Sequence, residues 1–328
     1  MHLPSIFALV ALTLGVTCTG IAADNTARRG GHVFSVSGRD LLFDGQPIKI
    51  IGLRTSNALM SEATTQELID NLGAFQSYGV NTVSVYVMGS RFGDVKGFLP
   101  DASLNPLYTP RLARILDAAD QRGMIVLVGC LYWSESEAKA DLGHWTQREA
   151  IRAVRNVVRW LAQRGSRNVF VDPDNEGMAH KAMAWSFEEM IEAGHRENPA
   201  CVIAYNARSP TPANADLTIH FGPRVAGKPH VETEGTPNVV PYWQSYSRKE
   251  GYRNYINIGI YTEAMKAEQR RVSSEMITQR NGYMLASTWL QCPPPFGPNM
   301  RPAGDGSPEN PGILWWLEYI KQHHAVAK

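Results

Sequence analysis

The 328-residue sequence predicts an α/β chain closed into a (β/α)8 TIM barrel, with an N-terminal β-hairpin and reduced helices five and six. Apolar runs of strand length alternate with longer stretches of helical periodicity, which is the pattern of parallel strands joined by crossover helices. Eight such runs follow one another, and a barrel of that kind takes roughly 250 residues before insertions. With 44% hydrophobic and 19% charged residues, the chain has ample material for one large core and lies outside the regime of disorder.

The elements fall in order along the chain. Residues 33–36 and 41–43 form the hairpin, turned by Ser37-Gly38-Arg39 and ended by Asp44-Gly45-Gln46-Pro47, as a lid over the barrel floor. Strand one spans 48–53. Leu68, Ile69, Leu72 and Phe75 mark the helix after it, with Thr64-Thr65 as caps. Gly79-Val80-Asn81 leads into strand two at 82–87, and Leu112, Ile115, Leu116 and Ala119 mark a helix ended by Gly123. Strand three is 124–131, the stripe Ile151, Val154, Val158 and Leu161 is helical, and strand four is 169–171. A single helix is expected over 178–195, then strands at 201–205, 217–221 and 230–234. A long helix over 252–279, strand eight at 283–289 and a closing helix at 313–322 complete the chain, with an ordered loop at 292–311. Connections 206–216 and 222–229 are too short for full crossover helices, which need roughly a dozen residues.

Ahead of the barrel lies an apolar run, residues 6–16, followed by small residues up to Ala22 and Ala23 and then Asp24-Asn25-Thr26. At about 11 residues it is short for a bilayer span and suits a secretory signal. The expected organisation is a signal peptide over 1–23 and a single catalytic barrel over 24–328, secreted or periplasmic, with no membrane contact after signal removal. The leader has His2 but no Lys or Arg before its apolar run, which leaves an uncleaved anchor or a lipid anchor as alternatives, the latter with a poor lipoprotein box because Thr17 precedes Cys18. Cys130, Cys201 and Cys292 remain, an odd number without CxxC spacing, so neither a disulfide framework nor a thiolate zinc cluster is expected. Cys130 and Cys201 read as free, buried residues.

Lys and Arg number 32 against 31 for Asp and Glu, a formal charge of +1, so phosphate attraction has no surplus to drive nucleic-acid binding. The histidines show no HxH or HExxH spacing, and neither a metal nor another cofactor is expected.

Barrel chemistry collects at the C-terminal ends of the strands. Strand four ends in Asp172-Pro173-Asp174-Asn175-Glu176-Gly177, and strand seven in Glu232-Thr233-Glu234-Gly235. These strands face each other across the mouth, so their carboxyls can converge. A protonated acid opposite an ionised carboxylate is what glycosidic bond cleavage needs. Glu232 and Glu234 alternate onto one strand face, expected to be the inner one. Glu232 is the alternative nucleophile, and a deeper carboxylate there needs a partner such as Arg54 or His220. Asp172 poses the same burial problem.

In this order, Phe43-Asp44-Gly45-Gln46-Pro47-Ile48, Gly79-Val80-Asn81-Thr82-Val83, residues 168–177, residues 228–235 and Trp289 resemble the retaining glycoside hydrolases built on β/α barrels, of which cellulase-like family 5 is the best known. The resemblance implies Glu176 as general acid/base, Asn175 as donor to the sugar 2-hydroxyl, Glu234 as nucleophile and a carbohydrate as partner. The chain departs from the family pattern at Ser84, where an arginine usually braces the nucleophile, at Tyr132, usually histidine, and at His220-Phe221, usually bearing a tyrosine. Arg54, ending strand one, is a candidate replacement for the brace.

Sugars also stack on aromatic rings. Strand-end positions predict sugar contact for Tyr132, Trp133 and Trp289, with Trp243 and Trp145 on loops above and Tyr86 in strand two. Trp160, Trp185, Trp315 and Trp316 are expected to fill core. The competing functional reading is a carbohydrate-binding barrel that has lost catalysis, motivated by the altered brace positions.

Overall fold

The computed structural model describes residues 31–89, 94–234, 261–286, 290 and 304–324. The expected leader, Trp243, Trp289 and Cys292 lie outside the described residues.

The lid comes first. Strands β1 (Phe34–Ser37) and β2 (Asp40–Phe43) form the expected hairpin, and a third strand, β3 (Gln46–Ile48), extends it to a three-stranded sheet. The Asp44-Gly45 turn therefore continues the sheet instead of ending it, and Ile48 belongs to the lid. Barrel strand one starts after it, as β4 (Ile50–Arg54).

The remaining barrel strands are β5 (Thr82–Tyr86), β6 (Ile125–Leu131), β7 (Val169–Asp174), β8 (Val202–Tyr205), β9 (Leu217–Ile219), β10 (His230–Val231) and β11 (Gly282–Leu285). They form one eight-stranded parallel sheet in the order β10-β9-β8-β7-β6-β5-β4-β11. Glu232 pairs with Tyr283 and joins the two ends, with Met284 N donating to Glu232 O at 2.8 Å. The sheet is a closed (β/α)8 barrel.

Helices α1 (Glu62–Ser77), α2 (Thr109–Asp120), α3 (Glu137–Asp141), α4 (Gln147–Arg164), α5 (Met178–Met183), α6 (Phe187–Glu197), α7 (Glu263–Gln279) and α8 (Leu314–His323) accompany the strands. Side chains on the helices explain where several begin: Ser61 and Thr64 form a capping box on α1, and Thr146 and Glu149 form one on α4. The run 178–195 is two helices. Ala184 takes a left-handed φ of 56°, and Ser186 then caps α6 by accepting from Glu189 N. No helix occurs within 206–216 or 222–229, so β8, β9 and β10 are joined by plain chain, and the last two are correspondingly short. Among the described residues, no helix is long and apolar enough to cross a membrane.

Alternation along the strands sorts side chains into two cores. Val83, Val126, Val128 and Val171 face the helices, against Leu72, Ile115 and Val154. Ile50, Ile125, Leu127, Phe170, Ala204, Ile219, Val231 and Met284 fill the interior with Phe34 and Leu41 of the lid. Two residues further along the same strand faces, the interior turns polar: Asp172 after Phe170, Asn206 after Ala204 and Thr233 after Val231, with Arg54 and Tyr86 beside them. This layer carries the site. Cys130 and Cys201 are free and buried, as expected.

The closing strand depends on Gly282. Its φ is 144°, and a Cβ there would lie 2.2 Å from the Ile50 carbonyl oxygen. Gly282→Ala is predicted to destabilise the barrel by about 2–4 kcal/mol, from combined backbone strain and overpacking, as measured by urea denaturation. Unchanged stability would show that β11 can shift away from β4.

Candidate active site

The polar layer is built around Arg54, whose side chain is fully buried. Its Nη2 lies 2.8 Å from Glu234 Oε1 and donates to Asn175 Oδ1 at 3.1 Å, while Nε donates to Ser56 Oγ at 3.2 Å. Ser56 Oγ is 3.2 Å from Ser84 Oγ. The small Ser84 thus supports, through Ser56, an arginine delivered from the neighbouring strand, and Arg54 braces Glu234.

Glu176 stands one residue beyond the Asp174-Asn175 junction, in a 3-10 turn (Asn175–Gly177). Its φ of 55° is left-handed, a conformation costly for a side chain with a Cβ. The turn is tied down from below: Asp174 accepts from Ala179 N at 3.0 Å and His180 N at 2.7 Å. His220, across the mouth, is also left-handed at φ 44°. These two strained residues meet at the same place, because a carboxylate oxygen of Glu176, one of Glu234 and a ring nitrogen of His220 all lie within 4.8 Å of one another.

Glu232 takes a different position from that expected. Val231 belongs to the interior layer, and Thr233, two residues on, meets Arg54 Nη1 through its backbone and hydroxyl oxygens at 3.4 Å. Strand alternation therefore puts Glu232 on the other face of β10. There its Oε1 lies 2.6 Å from His220 Nδ1 and accepts from Glu234 N at 3.2 Å. The chain bends at Thr233 and Glu234, which returns the Glu234 carboxylate to Arg54, with its other oxygen 3.7 Å from His220 Nε2.

Electrostatics divides the carboxyls. Burial, reinforced by the charge of Glu234, pushes Glu176 up to about 8. Burial likewise pushes Asp174 up to about 8 and raises Asp172. Burial disfavours the charged form of His220, but Glu232, Glu234 and Glu176 outweigh it and carry the imidazole up to about 9. Glu232 answers in kind: burial raises it, and the facing His220 more than reverses that, leaving it below the usual carboxylate range. At neutral pH the arrangement is a protonated Glu176 opposite Glu234, with Arg54 and imidazolium His220 supplying positive charge. Carboxylate, imidazole and carboxylate also match the donor types of a metal site.

The aromatic residues are distributed unevenly. Tyr132 is buried with its ring edge-on to Tyr86, centroids 5.5 Å apart. Trp133 fills space between Trp145 and Trp185, centroids 6.4 and 4.9 Å away, so protein covers its ring. Trp145 is equally buried and donates from Nε1 to Pro100 O at 2.9 Å. Trp185, Trp315 and Trp316 are core residues, and Trp160 is partly buried beneath Arg164. Asn206 and Thr233 belong to the polar layer without having been singled out from sequence. Asn206 directly follows a strand end, which is the signal that marks it.

No protein-family model and no curated protein matches the sequence. Comparison of structures gives the fold, a β/α barrel. One similar structure is described as a glycoside hydrolase, at 13% identity over 89% of this chain and 72% of that one, TM-score 0.58. A family 5 glycoside hydrolase from Bacteroides vulgatus is similar at 14% identity over 88% and 69% of the two chains, TM-score 0.58. A family 5 mannosidase from Rhizomucor miehei is similar at 12% identity over 88% and 96%, TM-score 0.55. The chain shares their fold.

The Glu232–His220 pair sets a pH window. His220, raised in the folded state, contributes stability in full below its ordinary pKa of about 6.5 and loses it as pH rises through about 9. Glu232, lowered in the folded state, contributes above the ordinary carboxylate range and loses its share as pH falls below it. In Glu232→Gln, burial of His220 loses its main counterweight, and the imidazole midpoint moves down from about 9, read by histidine NMR titration. A midpoint that stays put would assign the shift to another neighbour.

Proposed function

We propose that the protein is a retaining glycoside hydrolase that cleaves β-glycosidic bonds in an oligo- or polysaccharide. One observation carries the reading: Glu176 and Glu234 approach within 4.8 Å in opposite electrostatic settings, one buried and pushed up to about 8, the other paired with Arg54. The approach of single oxygens supports the closer, retaining spacing of roughly 5–5.5 Å between carboxyl groups over the roughly 6.5–9.5 Å of an inverting pair, which needs room for a water.

Glu176 gives its proton to the glycosidic oxygen as that bond breaks, and Glu234 attacks the anomeric carbon to form a glycosyl ester. Once the aglycone leaves, the ionised Glu176 takes a proton from water, whose oxygen displaces Glu234 and restores both groups. Arg54 and His220 hold the attacking carboxylate and absorb charge returned to it. Asn175, adjoining the acid, presents Nδ2 as a donor for the sugar 2-hydroxyl. Trp243 and Trp289 are proposed as stacking surfaces on their strand-end and loop positions in sequence. The apolar leader supports the reading that the enzyme is exported.

The purified protein is expected to release sugar from a panel of aryl β-glycosides and β-linked polysaccharides. Glu176→Gln and Glu234→Gln should each lower kcat/KM by about 10²-fold to 10⁴-fold or more. The kcat/KM profile should fall on its alkaline side near pH 8, where Glu176 loses its proton, and that limb should vanish in Glu176→Gln. Turnover indifferent to both substitutions would contradict the assignment, and saccharide binding without turnover would favour the non-catalytic barrel.

A further inference from the structure

The orientation of the Asn175 amide is set by its neighbours. Asn175 is fully buried. Its Oδ1 accepts from Arg54 Nη2 at 3.1 Å and from the Tyr86 hydroxyl at 2.9 Å. Its Nδ2 is buried and has no hydrogen-bond partner among the described residues. A flipped amide would turn its own N–H groups toward the Arg54 donor and leave Oδ1 without either bond. A buried donor left unpaired costs far more than an exposed one, so this Nδ2 is held in place for something that arrives later.

Tyr86 is itself fixed with care. Its single hydroxyl proton lies between two acceptors, Asn175 Oδ1 and, at 2.7 Å, Asp172 Oδ2; Asp172 Oδ2 accepts from Asn206 Nδ2 at 2.9 Å, and Asp172 Oδ1 accepts from Asp174 N at 3.3 Å. Arg54 lies over the Tyr86 ring at 5.2 Å. The ring occupies space that exists only because residue 129 is glycine, since a Cβ there would sit 1.9 Å from Tyr86 Cε1. None of Tyr86, Asp172, Asn206 or Gly129 is among the residues given a role in the proposed reaction.

We propose that Tyr86, seated on Asp172 and Asn206, is a positioning residue that locks the Asn175 amide with Nδ2 facing the bound sugar, so that the hydrogen bond to the 2-hydroxyl is ready before substrate arrives. The proposal rests on the hydrolase reading for the identity of the acceptor. It adds a specificity consequence: the layer beneath the acid acts only on substrates that carry an acceptor at that carbon. Preorganised donors matter most where they need no rearrangement during reaction.

The test compares the aryl β-glycoside that the intact protein cleaves fastest with its 2-deoxy counterpart. Tyr86→Phe, which keeps the ring and removes the hydroxyl, should lower kcat/KM on the parent about tenfold, the scale of one hydrogen bond, and on the 2-deoxy substrate less than about twofold. Asn175→Ala should show the same selectivity, and adding Tyr86→Phe to it should have no further effect. Equal losses on both substrates, or additive losses in the double variant, would overturn the positioning role while leaving the hydrolase reading intact. A second readout needs no turnover. The Asn175 side-chain amide NMR signal, identified by its loss in Asn175→Ala, should shift in Tyr86→Phe and in Asp172→Asn, and an unmoved signal would equally overturn the proposal.

Discussion

Charge compensation in a closed barrel is the constraint on which the site depends. Asp172, Asp174, Glu176, Glu232 and Glu234 gather at one end of the barrel, and among the described residues Arg54 and His220 are the cations buried with them. An isolated buried carboxylate is expensive, so each acid must find a cation, find donors or keep its proton. Arg54 goes to Glu234 at 2.8 Å and His220 to Glu232 at 2.6 Å. Asp174 and Asp172 take backbone and side-chain donors, and burial still raises both, carrying Asp174 up to about 8 as it carries Glu176. The contrast between a Glu176 that holds its proton and a Glu234 paired with Arg54 follows from the supply of positive charge, with no special property required of either glutamate.

Backbone geometry delivers that outcome. Interior side chains change from apolar to polar one layer above Leu127 and Phe170, so the floor is a packed core and the mouth a hydrogen-bonded one. Glu176 and His220 both sit in left-handed conformations at the mouth, and each is held by a neighbour that satisfies the strained turn. Strain of about 1–3 kcal/mol per residue persists only where surroundings over-determine it, and here the surroundings are the Asp174 cap and the Glu232 clamp. Plain connections after β8 and β9 leave room for His220 and Glu232 to meet at the edge of the sheet, where a full crossover helix would bring apolar side chains.

Much of this was legible in the sequence because strand ends are positional. Eight apolar runs locate the strands, their last polar residues locate Glu176, Glu234 and Arg54, and the burial of Glu232 demands a partner, which proves to be His220. Other features depend on contacts that no periodicity encodes. Residues 178–195 have continuous helical composition, and the break rests on a left-handed Ala184 and a Ser186 cap that look unremarkable in one dimension. Trp133 ends a strand, as a sugar platform would, but its cover comes from Trp145 and Trp185 on separate loops. The facing of Glu232 is not legible in the sequence because β10 has only two regular residues, too few to anchor the alternation.

The most direct measurement of this charge arrangement is a carboxyl carbon NMR titration of the protein labelled at glutamate side chains. One resonance should titrate with a midpoint near 8 and disappear in Glu176→Gln, while no comparable resonance is lost in Glu232→Gln. If every glutamate, Glu176 included, titrates in the ordinary carboxylate range, the acid is ionised at neutral pH and the division of roles between the two carboxyls is wrong.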